Sequence, residues 1–240
     1  IVKGAPFAPK RATKKPRIRG IQTATVMGPS SDEQAIHVDK YGRVKVRFHW
    51  DRINQQNDTA SCWLRVSQLA MGGSMILPRV SWEVSVAFLN GDPDQPFVLG
   101  RLYNAEKAPP YALPGAQTSG AIKSMSSPGG GGHNEINMGD SGGGQGWNMH
   151  ASKDLNISVG NDKKETIAAD EMHNVTVNMT TEIGANETIS VGSNQSIDVG
   201  SIMSNKIGGA QSIAVGGNET SNATANYIEH IGADRSYSVG

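Results

Sequence analysis

The chain has a single cysteine, Cys62, in 240 residues, which excludes an intrachain disulfide framework. Aromatic residues make up only 5 % of it, too few for one large, well-packed globule. No run of about 18 apolar residues is present, which argues against a transmembrane helix. No secretory signal opens the sequence. Its start at Ile1, within a linker-like stretch, is what a piece of a longer protein would show, so that absence says little about the parent. No helical period of apolar residues emerges. Also missing are a Gly-x-Ser-x-Gly elbow, a phosphate-binding Gly-x-x-x-x-Gly-Lys and a dinucleotide fingerprint after a strand. His37, His49, His133, His150, His173 and His230 show no metal-ligand spacing with one another or with Cys62. No catalytic residue, cofactor or metal is therefore expected.

What is abundant is glycine, with 29 residues, beside plentiful β-branched aliphatics. That combination points to turns or a repeat rather than to disorder of the whole chain. The 22 basic and 22 acidic groups cancel, but unevenly along the chain. Residues 1–20 hold seven basic groups (Lys3, Lys10, Arg11, Lys14, Lys15, Arg17, Arg19) and no acid. Such an arm is read as a solvated basic linker, with binding to nucleic acid or an anionic membrane as the rival.

Residues 21–105 read as short strands. Val44, Val46, Phe48 and Trp50 alternate with Arg43, Lys45, Arg47 and His49. Trp82, Val84, Val86 and Phe88 alternate with Ser81, Glu83 and Ser85. Period-2 alternation marks a strand with one buried face. Further strands are expected at Ile21–Met27, Cys62–Leu69, Ser74–Leu77 and Phe97–Tyr103. Turn chemistry separates them at Gly28-Pro29-Ser30, Asn54–Asp58, Gly72-Gly73 and Asn90-Gly91-Asp92-Pro93. Five or six strands in this length predict a small barrel of oligonucleotide/oligosaccharide-binding (OB) topology. Nucleic-acid binding by the Arg43, Lys45, Arg47 and His49 face is not expected, because no aromatic interleaves there. Residues 106–150 read as a Gly/Pro-rich transition, in which pieces such as Ile136 and Met138 could already pair as strands.

Residues 151–240 carry an octapeptide repeat. Glycine recurs at Gly160, Gly184, Gly192, Gly200, Gly208, Gly216, Gly232 and Gly240, and the register passes through Ala168, Thr176 and Thr224. Before it stand Val159, Ile167, Val175, Ile183, Val191, Val199, Ile207, Val215, Ala223, Ile231 and Val239. Ten of the 17 Val/Ile residues of this segment occupy that one register, where chance would put about two. Two places after the glycine register, Asp or Asn fills eight of ten positions. Eight residues make one short strand and a bend, for which glycine is suited by its tolerance of positive φ. The Val/Ile register is assigned to an internal axis, together with the residue two before it at Ile157, Ile189, Ile197, Ile213 and Tyr237. Glu165, His173, Thr181, Asn205 and Glu229 make that second position less uniform. One octad buries nothing alone, so stacking must build the core. Three octads per triangular layer could come from one chain or from three intertwined chains, and periodicity does not separate these. Braided, eleven octads would extend about 50 Å, at about 4.8 Å each.

The ordered motifs Tyr41-Gly42-Arg43-Val44-Lys45-Val46, Phe48-His49-Trp50-Asp51, Ser61-Cys62-Trp63-Leu64-Arg65-Val66-Ser67, Gly91-Asp92-Pro93-Asp94-Gln95-Pro96 and Gly100-Arg101-Leu102-Tyr103-Asn104 carry a resemblance. Pro109–Pro114, Gly120–Ser124, Gly130–Glu135 and His150–Asp154 continue it into the Val/Ile-Gly tail. Over residues 20–240 the sequence resembles the C-terminal part of the valine–glycine repeat (VgrG) spikes of type VI secretion systems. The resemblance implies an all-β fold, an OB-like barrel followed by an intertwined trimeric β-prism. It implies a homotrimer with no catalysis in this region, a puncturing spike that delivers effectors through a target membrane. It also implies partners, namely an Hcp tube, a PAAR-type tip protein and effectors, and assembly in the bacterial cytoplasm before injection. Nucleic acid is not among the partners implied. One departure is Val80-Ser81-Trp82, where the family usually has an aliphatic–Gly pair. A phage-tail central spike is the near alternative; a polysaccharide-active β-helix enzyme or a single-chain adhesin are the distant ones.

Overall fold

The computed structural model describes residues 4, 10, 12–29, 35–53 and 57–236. Lys3, Arg11, Ser30, Asn54, Tyr237, Val239 and Gly240, all singled out above, lie outside the described residues. The chain divides into two compact units, Ile1–Lys164 and Glu165–Gly240.

The first unit opens with five strands: β1 (Gln22–Met27), β2 (Lys45–Phe48), β3 (Arg65–Val66), β4 (Glu83–Phe88) and β5 (Pro96–Leu102). Their order in the sheet is β2-β1-β4-β5-β3, antiparallel except for the parallel pair β3–β5. Val44 and Leu64, just ahead of β2 and β3, exchange both backbone hydrogen bonds, at 2.9 and 2.7 Å. That bridge joins the two ends of the sheet. The circuit β1-β2-β3-β5-β4-β1 closes, which is the five-stranded OB barrel.

Ala24, Val26, Val44, Val46, Leu64, Val84, Val86 and Val98 form the buried core. Most are valine, whose branched Cβ is stiff and packs well on a pleated surface. The alternation thus pointed the correct residues inward at Val44, Val46, Val84 and Val86. It overreached at Trp50. β2 ends at Phe48, the Asp51 N–H donates back to the Phe48 carbonyl, and Trp50 lies in the resulting turn, 62 % exposed. There its ring stacks on Phe48 at 5.1 Å and its indole N–H donates to Gln22 Oε1 at 2.8 Å. Two further strand expectations are corrected. Ser74–Leu77 is not a strand, and the one expected over Cys62–Leu69 shrinks to Arg65–Val66. Gln68, which holds Ile76 through both of its amide groups, bridges these segments by side chain instead.

The Gly/Pro-rich transition contains an antiparallel sheet of its own, β6 (Ser119–Lys123), β7 (Glu135–Gly139) and β8 (Gly146–His150), in that order. Ile122 pairs with Ile136 and that with Met149; Gly120 pairs with Met138 and that with Trp147. Directly opposed residues share a face. One face is therefore apolar throughout, whereas the other carries Lys123, Glu135 and His150. Beyond His150 the described residues enter no ladder.

Candidate trimerisation face

Extended chain after His150 bends at a fixed interval. Bends fall at residue pairs beginning with Ser152, Gly160, Ala168, Thr176, Gly184, Gly192, Gly200, Gly208, Gly216, Thr224 and Gly232, one pair per octad. The bend is thus set by the octad and persists where the register holds alanine or threonine. The reason assigned to the glycines needs correction. None of Gly160, Gly184, Gly192, Gly200, Gly208, Gly216 and Gly232 has a positive φ, and a Cβ built at each meets nothing within 4 Å in one protomer. Neither backbone strain nor crowding inside the protomer explains glycine there.

The aliphatic register is equally regular. Val159, Ile167, Val175, Ile183, Val191, Val199, Ile207, Val215 and Ile231 are each 43–51 % exposed in the isolated chain. Ile157, Ile189, Ile197 and Ile213, two residues earlier, are 65–70 % exposed. Such uniformity means that every octad repeats one local conformation. Half-exposed Val and Ile recurring at every octad present more apolar surface than a monomer usually leaves open. Backbone donors and acceptors of an extended segment outside any ladder also require partners.

The strand expected around Ile136 and Met138 is present as β7, whereas its neighbours β6 and β8 and the sheet's apolar face were missed in the sequence. Ile122, Trp147 and Met149 are exposed in the protomer, and they belong with the aliphatic register as surface awaiting cover. Alternation was present in Gly146–His150, but surrounding glycines masked it.

Polar residues singled out above are engaged within the chain. Arg43 pairs with Asp39 at 2.6 Å, Lys45 lies 3.9 Å from Asp58 and over the Trp63 ring, Arg47 Nη2 donates to the Asp51 carbonyl, and His49 lies 3.6 Å from Glu83. Part of the basic arm is docked rather than solvated. Lys15 bridges Asp92 at 2.5 Å and Asp94 at 2.7 Å, Arg17 donates to the Asn90 carbonyl, and the Ile18 N–H donates to the Gly91 carbonyl. The hydrogen bond from Lys15 holds the Asp92 carboxyl below its ordinary range, and Asp92 and Asp94 raise Lys15 in return. His133 and His150 meet with ring centroids 4.6 Å apart, and His133 lies 3.3 Å from Glu135. Burial, followed by Lys123 and His150, lowers the His133 pKa. Among the described residues no three His, Cys, Asp or Glu side chains are grouped to hold a metal ion, and no helix is long and apolar enough to cross a membrane.

Two family models match. The type VI secretion system/phage-baseplate injector OB domain covers residues 30–103, and the bacteriophage T4 gp5 C-terminal trimerisation domain covers residues 120–239. Similar curated proteins include the type VI secretion system spike proteins VgrG1b and VgrG1c of Pseudomonas aeruginosa. They are 49 % and 47 % identical, over 67 % and 68 % of this chain and 22 % and 23 % of their own length. VgrG3 of Vibrio cholerae is 44 % identical over 65 % of this chain and 15 % of its own. The chain spans about a fifth of the length of these relatives. The fold is all-β, an OB barrel ahead of an octad-built trimerisation segment, and with half its length matched the chain belongs to the family of the bacteriophage T4 gp5 C-terminal trimerisation domain.

Proposed function

We propose that this chain is the barrel and shaft of a homotrimeric puncturing spike at the tip of a type VI secretion apparatus, a contractile, phage-tail-like device. The observation that carries the reading is the octad segment, bent every eight residues and outside any ladder of its own. Three such segments wound together would supply one another's backbone hydrogen bonds and bury Val159, Ile167, Val175, Ile183, Val191, Val199, Ile207, Val215 and Ile231 on a common axis. A solenoid wound from one chain would instead need pairing between octads of the same protomer, which the described residues lack. That disfavours the single-chain adhesin and β-helix enzyme.

Domain roles follow: residues 1–20 an arm, 21–105 the OB barrel, 106–150 a transition holding the β6–β8 sheet, and 151–240 the shaft. The function is mechanical, with no catalysis in this region. A shaft paired along its length, with no long open edge, would resist unfolding under axial load. The relatives are named as type VI secretion system spike proteins, which supports that setting over a phage tail. An Hcp tube below, a PAAR-type tip above and effectors carried with them are the partners proposed, with assembly in the cytoplasm and passage through a target membrane. Light scattering tests the reading. A mass of three times 25.4 kDa is expected, and a stable monomer at micromolar concentration sinks it.

A further inference from the structure

Within the first unit a cavity of about 620 Å³ lies between the barrel and the β6–β8 sheet. Trp82, Arg101 and Tyr103 line its barrel side, and Ile122, Lys123 and His133 its far side. Arg101 is unusual among the charged groups of the barrel. Its guanidinium carbon sits 3.6 Å from the Trp82 ring centroid and 4.5 Å from that of Tyr103. Its Nε is buried without a hydrogen-bond partner, and the structure gives it no ion pair among the described residues. Burial lowers its pKa. By contrast Lys123 holds Glu135 at 3.0 Å, and that carboxylate also accepts from Tyr111.

A guanidinium flanked by aromatic rings can still bond through its planar edge, and the group that fits that edge is a carboxylate, bound by two parallel N–H···O bonds. Only Nε is withdrawn from water in the half-buried Arg101, so the outer edge of the guanidinium stays open to a partner. No carboxylate among the described residues pairs with it, and Glu135, beside the wall residues Lys123 and His133, is engaged with both. The far wall, Ile122 to His133, belongs to the stretch matched as a trimerisation domain, and β6 is an edge strand of its sheet. Exposed Ile122 there continues the face to be covered by other copies. Glu106 and Asp140 are exposed carboxylates of the same unit to which the structure assigns no cation among the described residues.

We propose that the Arg101 cavity is an inter-protomer socket, completed in the trimer by an Asp or Glu side chain of a second copy of this chain. The proposal rests on the trimer reading and adds the specific contact that would fix barrel against neighbouring barrel.

Zero-length carbodiimide coupling of an Arg101→Lys variant tests it. The lysine keeps the charge and can form an isopeptide bond with a carboxylate in contact. Peptide mapping of the denatured, cross-linked dimer should find residue 101 joined to an acidic residue, with Glu106 and Asp140 the first to be looked for. A residue-101 link found only in monomer-sized chains, and so formed within one chain, overturns the proposal. So does the absence of any link at 101 while the Lys123–Glu135 pair couples in the same sample. Light scattering on that sample separates the two ideas: a monomer refutes the trimer, whereas a trimer lacking the 101 link refutes only the socket. Should the variant fail to fold, phenylglyoxal on the unsubstituted trimer gives the answer. Because Trp82 and Tyr103 already shield Arg101 within one protomer, the comparison is with a Val199→Asp variant that light scattering shows to be monomeric. Arg101 should react more than tenfold faster there than in the trimer, and equal rates reject the socket.

Discussion

Ser81 donates its backbone N–H to the Val26 carbonyl at 2.9 Å from a left-handed conformation, φ 68°, while the Val26 N–H donates to the Trp82 carbonyl at 2.9 Å. Both backbone groups of a fully buried core valine are thus satisfied by one corner. That corner forces a residue with a Cβ into a region that costs about 1–2 kcal/mol for L-residues. The position is where the resemblance placed a usual aliphatic–Gly pair. Ser81→Gly should therefore stabilise the protein by about 1 kcal/mol, part of the relief being offset by glycine's extra chain entropy. Thermal melts at fixed protomer concentration check this, and a lowered midpoint would show that the Ser81 side chain contributes more than its backbone costs.

The Val44–Leu64 bridge closes the barrel, and Leu64 is its largest fully buried side chain, 1 % exposed. Leu64→Ala removes buried methyl groups at the seam and should cost about 2–5 kcal/mol. Chemical denaturation followed by tryptophan fluorescence reads it. A loss below about 0.5 kcal/mol would mean that the seam is open in solution.

The barrel core was legible because Val44/Val46 and Val84/Val86 alternate in runs long enough to be bounded by turns. The octad was legible because eight-step repetition accumulates over eleven units. What escaped depended on distant partners. Of the strand expected over Cys62–Leu69 only Arg65–Val66 pairs, in parallel with Phe97–Val98, and nothing local marks where that pairing starts and stops. Trp50 continues the alternation in sequence, yet the Asp51-to-Phe48 hydrogen bond turns the chain before it can enter the core. Gly146–His150 is stabilised by its ladder with β7, in a stretch whose glycines argue locally for flexibility. Lys15 looked solvated because its acids lie far away in sequence, on the β4–β5 turn.

Docking of the arm should depend on pH in a defined window. Asp92 has a depressed pKa, so its contribution is present above the model-compound value of 3.8 and is lost as the pH falls through the lower folded value. Lys15 has a raised pKa, so its contribution is full below 10.5 and is lost as the pH rises through the higher folded value. Between those limits the Ile18 amide, bonded to the Gly91 carbonyl, should be protected from hydrogen exchange. Protection corrected for intrinsic rate should weaken as the pH falls below 3.8 and should vanish in Lys15→Met at pH 7. Protection that persists in Lys15→Met would assign docking to Arg17 and the backbone instead. Gly91→Ala should also release the arm, because Gly91 has φ 71° and an added Cβ would lie 2.8 Å from the Ile18 carbonyl oxygen.

The octad register makes a positional prediction that composition alone could not. Val199 occupies the half-exposed register and Ile202 the outward side, 83 % exposed in the protomer. On a shared axis Val199→Asp would bring three carboxylates together out of water, a destabilisation of several kcal/mol even after protonation. Ile202→Asp should stay within about 0.5 kcal/mol, as surface substitutions do. Thermal melts with light scattering distinguish them: the first variant should lose its trimer tens of degrees earlier, the second should not.

The glycines of the same register permit a sharper test of who surrounds them. In one protomer Gly192 has no positive φ and no atom within 4 Å of an added Cβ, so Gly192→Ala should be harmless to a chain that folds alone. If it costs nothing in the trimer either, glycine there reflects only the octad's ancestry, as Ala168 in the same register would allow. A cost of about 1 kcal/mol or more per substitution must come from a neighbouring copy passing close to the backbone. Because the braided arrangement brings three chains together at each layer, a measurable loss of trimer stability is the expected result. Ala168→Gly should gain where Gly192→Ala loses; chain entropy alone predicts a gain for Gly192→Ala and a loss for Ala168→Gly, so the expected pattern can come only from close approach.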